Sequence, residues 1–204
     1  MSLVFVLRKF INRIFIKLRY NDRTIGEYFK KQGAQIGDDC SILIRSVGDE
    51  PYLVKIGNHV AIAEGVTFAT HDGAAWIIRR EIRDIQVFGP IIIEDNCVIG
   101  ANTILFPNIK IGPNSIVGAG SVVISDVPPN TIVMGVPARP IGSVEKYKEK
   151  CIALWNEQKP SDVIIESGRN WWNSKHYKLN REKLRLHLVN LFCTQNHEVE
   201  NTKK

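Results

Sequence analysis

Cysteine is scarce in this chain of 204 residues, and long apolar runs are missing. The four cysteines, Cys40, Cys97, Cys151 and Cys193, form no C-x-x-C pair, so we predict neither a disulfide framework nor a structural zinc site. Free thiols are typical of a reducing compartment, and we expect a cytoplasmic protein. No stretch approaches the roughly 20 apolar residues of a membrane-spanning helix. The N-terminus lacks the cleavage site of a secretory signal, so we expect none.

Acidic residues are absent from residues 1–20, which hold five basic ones. Residues 21–142 hold thirteen acidic against ten basic residues, and residues 143–204 hold twelve basic against eight acidic ones. A nucleic-acid-binding domain is expected to be basic where it is folded. The slightly acidic middle of the chain therefore argues against a nucleic-acid partner.

An aliphatic residue recurs every six positions through the middle of the chain. The regular run comprises Ile93, Ile99, Leu105, Ile111, Val117 and Val123, and the same register occurs at Ile56, Ile62 and Phe68 and weakly at Ile36 and Ile42. A period of six matches neither the helical period of 3.6 nor the strand period of 2. It is typical of a chain that turns a corner after each short strand, so that three strands close a triangular coil. One aliphatic side chain per strand then stacks inside the prism on its counterpart in the next coil.

The pattern divides the chain into three parts. We predict a β-helical domain over residues 30–142, interrupted by an inserted loop at residues 71–90. Residues 143–204 form a C-terminal extension, for which the pattern predicts helices at 143–157 and 178–193. Residues 1–29 form an N-terminal segment whose first 20 residues have the pattern of a basic amphipathic helix. Such a helix suits either peripheral contact with the inner face of an anionic membrane or packing against the rest of the protein.

Residues 30–142 resemble the hexapeptide-repeat acyltransferases. The resemblance is carried by IGAN at 99–102, by IVGAGSVV at 116–123, and by the blocks DVPPNT at 126–131 and GVPAR at 135–139. The last two blocks are typical of acetyl-CoA-dependent members such as the galactoside and maltose acetyltransferases. The resemblance implies an all-β core folded as a left-handed parallel β-helix, and a homotrimer with active sites between neighbouring prisms. It also implies acetyl-CoA as co-substrate without a metal, and a sugar or nucleotide-sugar hydroxyl or amine as acceptor in surface polysaccharide biosynthesis.

The candidate catalytic residues are His71 and Asp72, where the last regular hexad gives way to the loop. An imidazole with an ordinary pKa of about 6.5 is partly neutral at cytosolic pH and can take a proton from the acceptor. The resemblance implies that His71 is this general base. Asp72 is predicted either to orient the imidazole or to contact the acceptor, and an aspartate before Gly73 is equally typical of a turn.

The resemblance assigns cofactor contacts to Gly100, Ala101, Ala119 and Arg139. The backbone N–H of Ala101 is implied to face the thioester, and that of Ala119 to lie further along the cofactor. Small residues there let the backbone come close, and Arg139 corresponds to a cation that meets the phosphates of CoA. Many relatives carry a lysine where this chain has Ser125, so this chain is expected to lack one of their contacts with a phosphate of CoA.

The inserted loop carries the candidate substrate contacts Trp76, Arg79 and Arg83. An indole face is suited to stacking on a sugar, and guanidinium groups are suited to the phosphates of a nucleotide-sugar. Alternatively, these arginines belong to a solvated loop and pair with Glu81 and Asp84.

Three other functions compete with a sugar acetyltransferase. One is an acetyltransferase for a non-sugar acceptor such as serine or an antibiotic. Another is a metal enzyme like the γ-class carbonic anhydrases, which needs three clustered histidines with an H-x4-H pair, whereas the repeat holds only His59 and His71. The third is a structural β-helix without catalysis. A protein of that kind would not need the blocks at 126–131 and 135–139 that are typical of acetyl-CoA-dependent members. Oxygen versus nitrogen acylation, and acetyl versus another short acyl group, stay open at this point.

Overall fold

The computed structural model of the chain describes residue 16, residues 18–160 and residues 175–194, with the side chains of residues 180–192 in the last range. The chain forms two compact units, with the boundary between Glu145 and Lys146. Most of the predicted amphipathic helix of residues 1–20 lies outside the described residues.

In the first unit, helix α1 (Ile25–Lys31) is accompanied by thirteen short strands, and the described residues 16, 18 and 19 are helical as well. The strands are β1 (Gln35–Ile36), β2 (Ser41–Ile42), β3 (Val54–Ile56), β4 (Ala61–Ile62), β5 (Thr67–Phe68), β6 (Ile91–Ile93), β7 (Val98–Ile99), β8 (Ile104–Leu105), β9 (Ile109–Ile111), β10 (Ile116–Val117), β11 (Val122–Val123), β12 (Thr131–Met134) and β13 (Arg139–Ser143).

Three parallel sheets form the faces of a prism. The first contains β1, β3, β6 and β9 in that order, the second β2, β4, β7, β10, β12 and β13, and the third β5, β8 and β11. Only β13 pairs antiparallel, with β12. In the last full coils each strand pairs with the strand 18 residues further on, as in Ile93↔Ile111 and Leu105↔Val123. The predicted left-handed parallel β-helix is therefore confirmed.

The interior of the prism is filled by two kinds of inward side chain. The six aliphatic residues of the regular run, Ile93, Ile99, Leu105, Ile111, Val117 and Val123, are all buried. Full burial of such a side chain contributes about 1.5–3 kcal/mol, so the stack is the main source of stability. The residues four positions later are smaller and buried too, among them Cys97, Thr103 and Ser115. These three donate hydrogen bonds to backbone carbonyls of the next turn, which offsets the cost of burying polar atoms.

One corner of the prism carries a ladder of polar side chains, which we call the corner ladder. It consists of His59, Asn96, Asn114 and Asn130, all with φ between 54° and 58°. His59 Nδ1 lies 2.7 Å from Asn96 Oδ1, Asn96 donates to Asn114 over 2.7 Å, and Asn114 donates to Asn130 over 3.2 Å. Asparagine tolerates the left-handed region better than most residues, because its short side chain bonds locally. His59 is thus part of the scaffold.

The second unit is helical where it is described. Helix α2 (Val144–Gln158) crosses the unit boundary, and α3 (Lys175–Val189) continues as a π-helical turn over Asn190–Thr194. Both helices were predicted, and α3 begins three residues before the predicted start at 178. Within the described ranges, no helix has the length and apolar character needed to cross a membrane.

The corner ladder generates the first testable prediction. His59→Asn should raise the free energy of unfolding by roughly 0.5–1 kcal/mol. Asparagine adopts a positive φ at lower cost than histidine, and it extends the row of asparagine side chains in the ladder. His59→Ala keeps the strained φ but loses the hydrogen bond to Asn96, so it should lower the free energy of unfolding by about 1 kcal/mol. Urea unfolding followed by circular dichroism measures both changes. Equal stability of the two variants would show that the ladder contributes nothing at this position.

Candidate active site

A second interruption of the repeat lies between β2 and β3. Residues 43–53 leave the prism and return through a short 3₁₀ helix, Pro51–Leu53, so the first coil has no third strand. Ile44 and Val47 are buried and anchor this segment on the core. Gly48, with φ +95°, packs so closely that a Cβ atom would lie 2.8 Å from Thr70 Oγ1. The segment therefore lies directly against the residues that follow β5, a contact that the sequence analysis missed.

The loop at residues 71–90 begins and ends at one place on the prism. Its ends pair through the backbone: Asp72 donates to Val87 O over 2.8 Å, and Gly89 donates to Thr70 O over 3.0 Å. His71 and Phe88 form an antiparallel bridge, with their rings 6.3 Å apart in an edge-on arrangement. His71 is thus fixed at the base of the loop, where the rigid coil ends.

Glu50 is the hydrogen-bond partner of the His71 imidazole. His71 Nδ1 lies 3.1 Å from Glu50 Oε2, and the hydroxyl of Thr70 donates a short hydrogen bond to the same oxygen. The Glu50 side chain is 14% exposed and that of His71 44% exposed. Because an ionised carboxylate only accepts hydrogen bonds, the proton of the neutral imidazole belongs on Nδ1. The lone pair of Nε2 is then free to take a proton.

The electrostatics of this pair favour proton abstraction. The Thr70 hydrogen bond first, and the contact with His71 next, lower the pKa of Glu50, so this carboxylate stays ionised. The hydrogen bond to Glu50 raises the pKa of His71 above its ordinary value. A higher pKa makes the neutral imidazole a stronger base.

Asp72 does not orient the imidazole. Its Oδ1 accepts a hydrogen bond of 2.8 Å from the backbone N–H of Ala74 and caps the 3₁₀ helix Gly73–Ile78. The orienting role predicted for Asp72 therefore belongs to Glu50. Neighbouring residues on an extended backbone point in opposite directions, and the capping contact agrees with the other predicted role of Asp72, that of a turn residue before Gly73. Contact between Asp72 and an acceptor stays a prediction.

The predicted substrate residues of the loop lie on its surface. Trp76 is 72% exposed, and the guanidinium carbon of Arg79 lies 5.5 Å from the centre of its ring, a cation–π contact. Arg83 is exposed as well. Trp76 and Arg79 thus act as one amphipathic pair rather than as separate contacts. Their binding to a sugar or to phosphates stays a prediction.

The predicted cofactor residues lie on later coils, at the corner between the second and third sheets. Gly100 packs so tightly that a Cβ atom would lie 2.4 Å from the backbone nitrogen of Ala119. Among the described residues, the backbone N–H groups of Ala101 and Ala119 have no hydrogen-bond partner, so both are available to a ligand. Arg139 is exposed at the start of β13, further along the prism.

A groove of about 320 Å³ opens beside His71. One wall is formed by Ser46, Gly48 and Asp49 of the first inserted segment, and the other by residues 66–70. His71 itself lines the groove on the early coils, whereas the unpaired N–H groups of Ala101 and Ala119 lie on later coils, at the corner before β8 and β11. The arrangement places a base against an open groove.

Comparison with known proteins decides the family. Residues 90–125 match the model of the hexapeptide repeat of succinyl-transferase. The chain is 46% identical over 177 residues to Protein CapG of Staphylococcus aureus, an alignment that covers 85% of this chain and 97% of CapG. The chain belongs to the hexapeptide-repeat acetyltransferase family. The predicted family and the predicted acyltransferase activity are thereby confirmed.

Two further relatives match shorter stretches. The galactoside O-acetyltransferase of Escherichia coli strain K12 is 38% identical over 95 residues, 47% of this chain and 46% of that protein. The solved structure of a serine acetyltransferase from Neisseria gonorrhoeae is 34% identical, with a TM-score of 0.44, over 55% of this chain and 40% of that chain. The chain thus spans nearly all of CapG and less than half of these two proteins.

The Glu50–His71 contact predicts the titration of His71. Replacing Glu50 by glutamine should move the pKa of His71 down towards the ordinary value, because the carboxylate that stabilises the imidazolium is gone. Nitrogen-15 NMR of the imidazole rings, with His71→Ala used to assign the signal, measures the midpoint and shows which ring nitrogen carries the proton.

Asp72→Asn is the matched comparison for this titration. Asparagine can still cap the 3₁₀ helix, and the change removes one negative charge close to His71 in sequence. The structure predicts that its effect on the midpoint is much smaller than that of Glu50→Gln. A larger shift in Asp72→Asn would reverse the assignment of the two carboxylates.

Proposed function

We propose that this protein transfers an acetyl group from acetyl-CoA to a hydroxyl group of a sugar or nucleotide-sugar in surface polysaccharide biosynthesis. The observation that carries the proposal is the arrangement of His71. Its Nδ1 is held by an ionised Glu50, which leaves Nε2 free beside an open groove. Direct attack on a thioester needs a base of this kind, and no covalent enzyme intermediate is required.

In the proposed reaction, Nε2 of His71 takes the proton of the acceptor hydroxyl as its oxygen attacks the carbonyl carbon of the thioester. The N–H of Ala101 donates to the oxyanion that forms. The tetrahedral intermediate then collapses, the carbon–sulfur bond breaks, and the proton on His71 passes to the leaving thiolate. Glu50 stabilises the imidazolium that exists between the two proton transfers.

The later coils support CoA as the donor. The unpaired N–H groups of Ala101 and Ala119 suit the carbonyl groups of an acyl-pantetheine arm, and Gly100 lets the chain come close there. Arg139, exposed further along the prism, suits a phosphate. The blocks at 126–131 and 135–139, typical of acetyl-CoA-dependent members, support the same donor.

A sugar acceptor is supported by the name of the E. coli relative, a galactoside O-acetyltransferase, and by the exposed indole of Trp76. Aromatic faces are well suited to the apolar face of a sugar ring. Other relatives are named 2,3,4,5-tetrahydropyridine-2,6-dicarboxylate N-acetyltransferase, for example one that is 53% identical over 39% of this chain. An amine acceptor is therefore the alternative outcome of the assay described below.

We further propose that the protein works as a homotrimer in the cytoplasm, with peripheral contact to the inner face of the membrane. Two faces of the prism carry exposed apolar side chains, which supports their burial between subunits. These side chains are Val98, Ile104, Phe106, Ile124 and Met134. On the remaining face Lys55 is exposed and Lys110 pairs with Glu94 over 2.6 Å. The five basic residues among residues 1–20, without an acidic one, support contact with an anionic membrane surface.

The assay is release of free CoA thiol from acetyl-CoA against a panel of sugars, nucleotide-sugars, amino sugars and serine. We expect one sugar hydroxyl to drive turnover, and His71→Ala to lower the rate by roughly 100-fold or more, because the base is lost. His59→Asn is the matched control, since it removes a histidine from another corner of the prism. We expect it to keep the wild-type rate.

Thermal unfolding with and without CoA completes this test. A ligand that binds the folded state raises the melting temperature, so CoA should stabilise both the wild type and His71→Ala. Full activity of His71→Ala on a working acceptor would contradict the mechanism. The absence of stabilisation by CoA would contradict the choice of donor.

A further inference from the structure

Strand β5 is the edge strand of the third sheet. One of its edges pairs with β8, and beyond its other edge runs the segment from Ser46 to Asp49. The groove beside His71 lies between this segment and β5, so it is built by the insertion at residues 43–53. Gly48 holds the segment in place through its contact with Thr70. The groove is therefore a fixed part of the scaffold rather than a gap in a mobile loop.

The groove and the proposed donor residues lie at different levels of the third sheet. The third sheet runs in the order β5, β8, β11, and the corner with Ala101 and Ala119 precedes β8 and β11. The groove lies beyond β5, on the side away from β8. The attacking oxygen must lie within hydrogen-bond distance of the base, so the acceptor binds in a space that His71 lines, and the groove is such a space.

The charged side chain that lines the groove beside His71 is negative, and Arg79 acts on His71 from outside the groove lining. Asp49 is exposed and lines the groove, and Glu50 follows it directly. Among the described residues that line the groove there is no lysine or arginine, and the Asp49 carboxylate has no hydrogen bond within the described part of the chain. The other polar groups are the hydroxyls of Ser46, Thr67 and Thr70. Such a groove accepts hydroxyl hydrogens and repels phosphate or carboxylate groups.

We infer that this groove binds the reacting ring of the acceptor as an uncharged polyhydroxyl ring, with Asp49 accepting hydrogen bonds from its hydroxyl groups. The inference rests on the proposed function and narrows it. A phosphate of the acceptor lies outside the groove, and an acceptor with an anionic group on the reacting ring is excluded. Asp49 acts as a specificity determinant that binds the acceptor and takes no part in the proton transfer.

The test is saturation-transfer difference NMR with methyl glycosides as neutral probes and sugar phosphates as charged ones. The probes are the methyl glycosides of galactose, glucose and N-acetylglucosamine, and the 6-phosphates of the same three sugars. We expect at least one methyl glycoside to bind more tightly than its 6-phosphate. Asp49→Asn should lower the affinity for the neutral probe about tenfold, which is the usual effect of removing one charge-assisted hydrogen bond. It should also reduce the difference in affinity between the methyl glycoside and the 6-phosphate.

Asp38→Asn is the matched control, because it neutralises an exposed carboxylate at a different corner of the same coil. It should leave the affinity for both probes unchanged. The inference is overturned if no glycoside binds, if a 6-phosphate binds more tightly than its glycoside, or if Asp49→Asn and Asp38→Asn behave alike. The rise in melting temperature caused by CoA is measured on the same samples. A protein that CoA still stabilises retains its donor site, so in that case the inference about the groove fails while the proposed function stands.

Discussion

The structure depends on one constraint, the stacking of a single aliphatic side chain from every six residues inside a closed triangular prism. In the regular coils each inward residue rests on the residue 18 positions away, so a shift by one position would expose a whole column of the core. Additional residues are accommodated at the corners, because there the chain leaves the stack without disturbing it. The insertion at 71–90 obeys that rule between β5 and β6, whereas residues 43–53 also replace the third strand of the first coil.

This constraint also explains how the active site is assembled. Glu50 comes from the insertion of the first coil and His71 from the end of the second, and the rigid prism fixes the distance between the two coils. Ala101 and Ala119 come from later coils at the preceding corner. A base with its orienting carboxylate thus lines a groove, and the free backbone donors lie on later coils. Each part is held by the core and needs little support of its own.

The sequence was sufficient to predict the prism, its inward residues and the inserted loop at residues 71–90, because a six-residue period in the core has few other structural solutions. It was not sufficient to find Glu50, which lies 21 positions from His71 in a segment without periodicity. One signal was available: Ile42 and Ile56 are 14 residues apart instead of 12, which marks an insertion between them. For Asp72 an orienting role, an acceptor contact and a turn-forming role were all predicted, and the direction of its side chain shows that it caps a helix. His59 is exposed, and its contact with Asn96 was not predicted, since nothing in one sequence shows that corner residues of successive coils stack.

The central claim is that His71, oriented by Glu50, is the general base of acyl transfer. It is tested most directly by the pH dependence of kcat/KM for a working acceptor, in the wild type and in Glu50→Gln. The account predicts a rate that rises with pH as His71 loses its proton, with a midpoint above the ordinary value of about 6.5. In Glu50→Gln the midpoint moves to lower pH, because the pKa of His71 falls, and the plateau is lower because the imidazole is no longer held in the productive tautomer. A midpoint that is the same in both proteins, or a rate that does not depend on pH in this range, would contradict the claim.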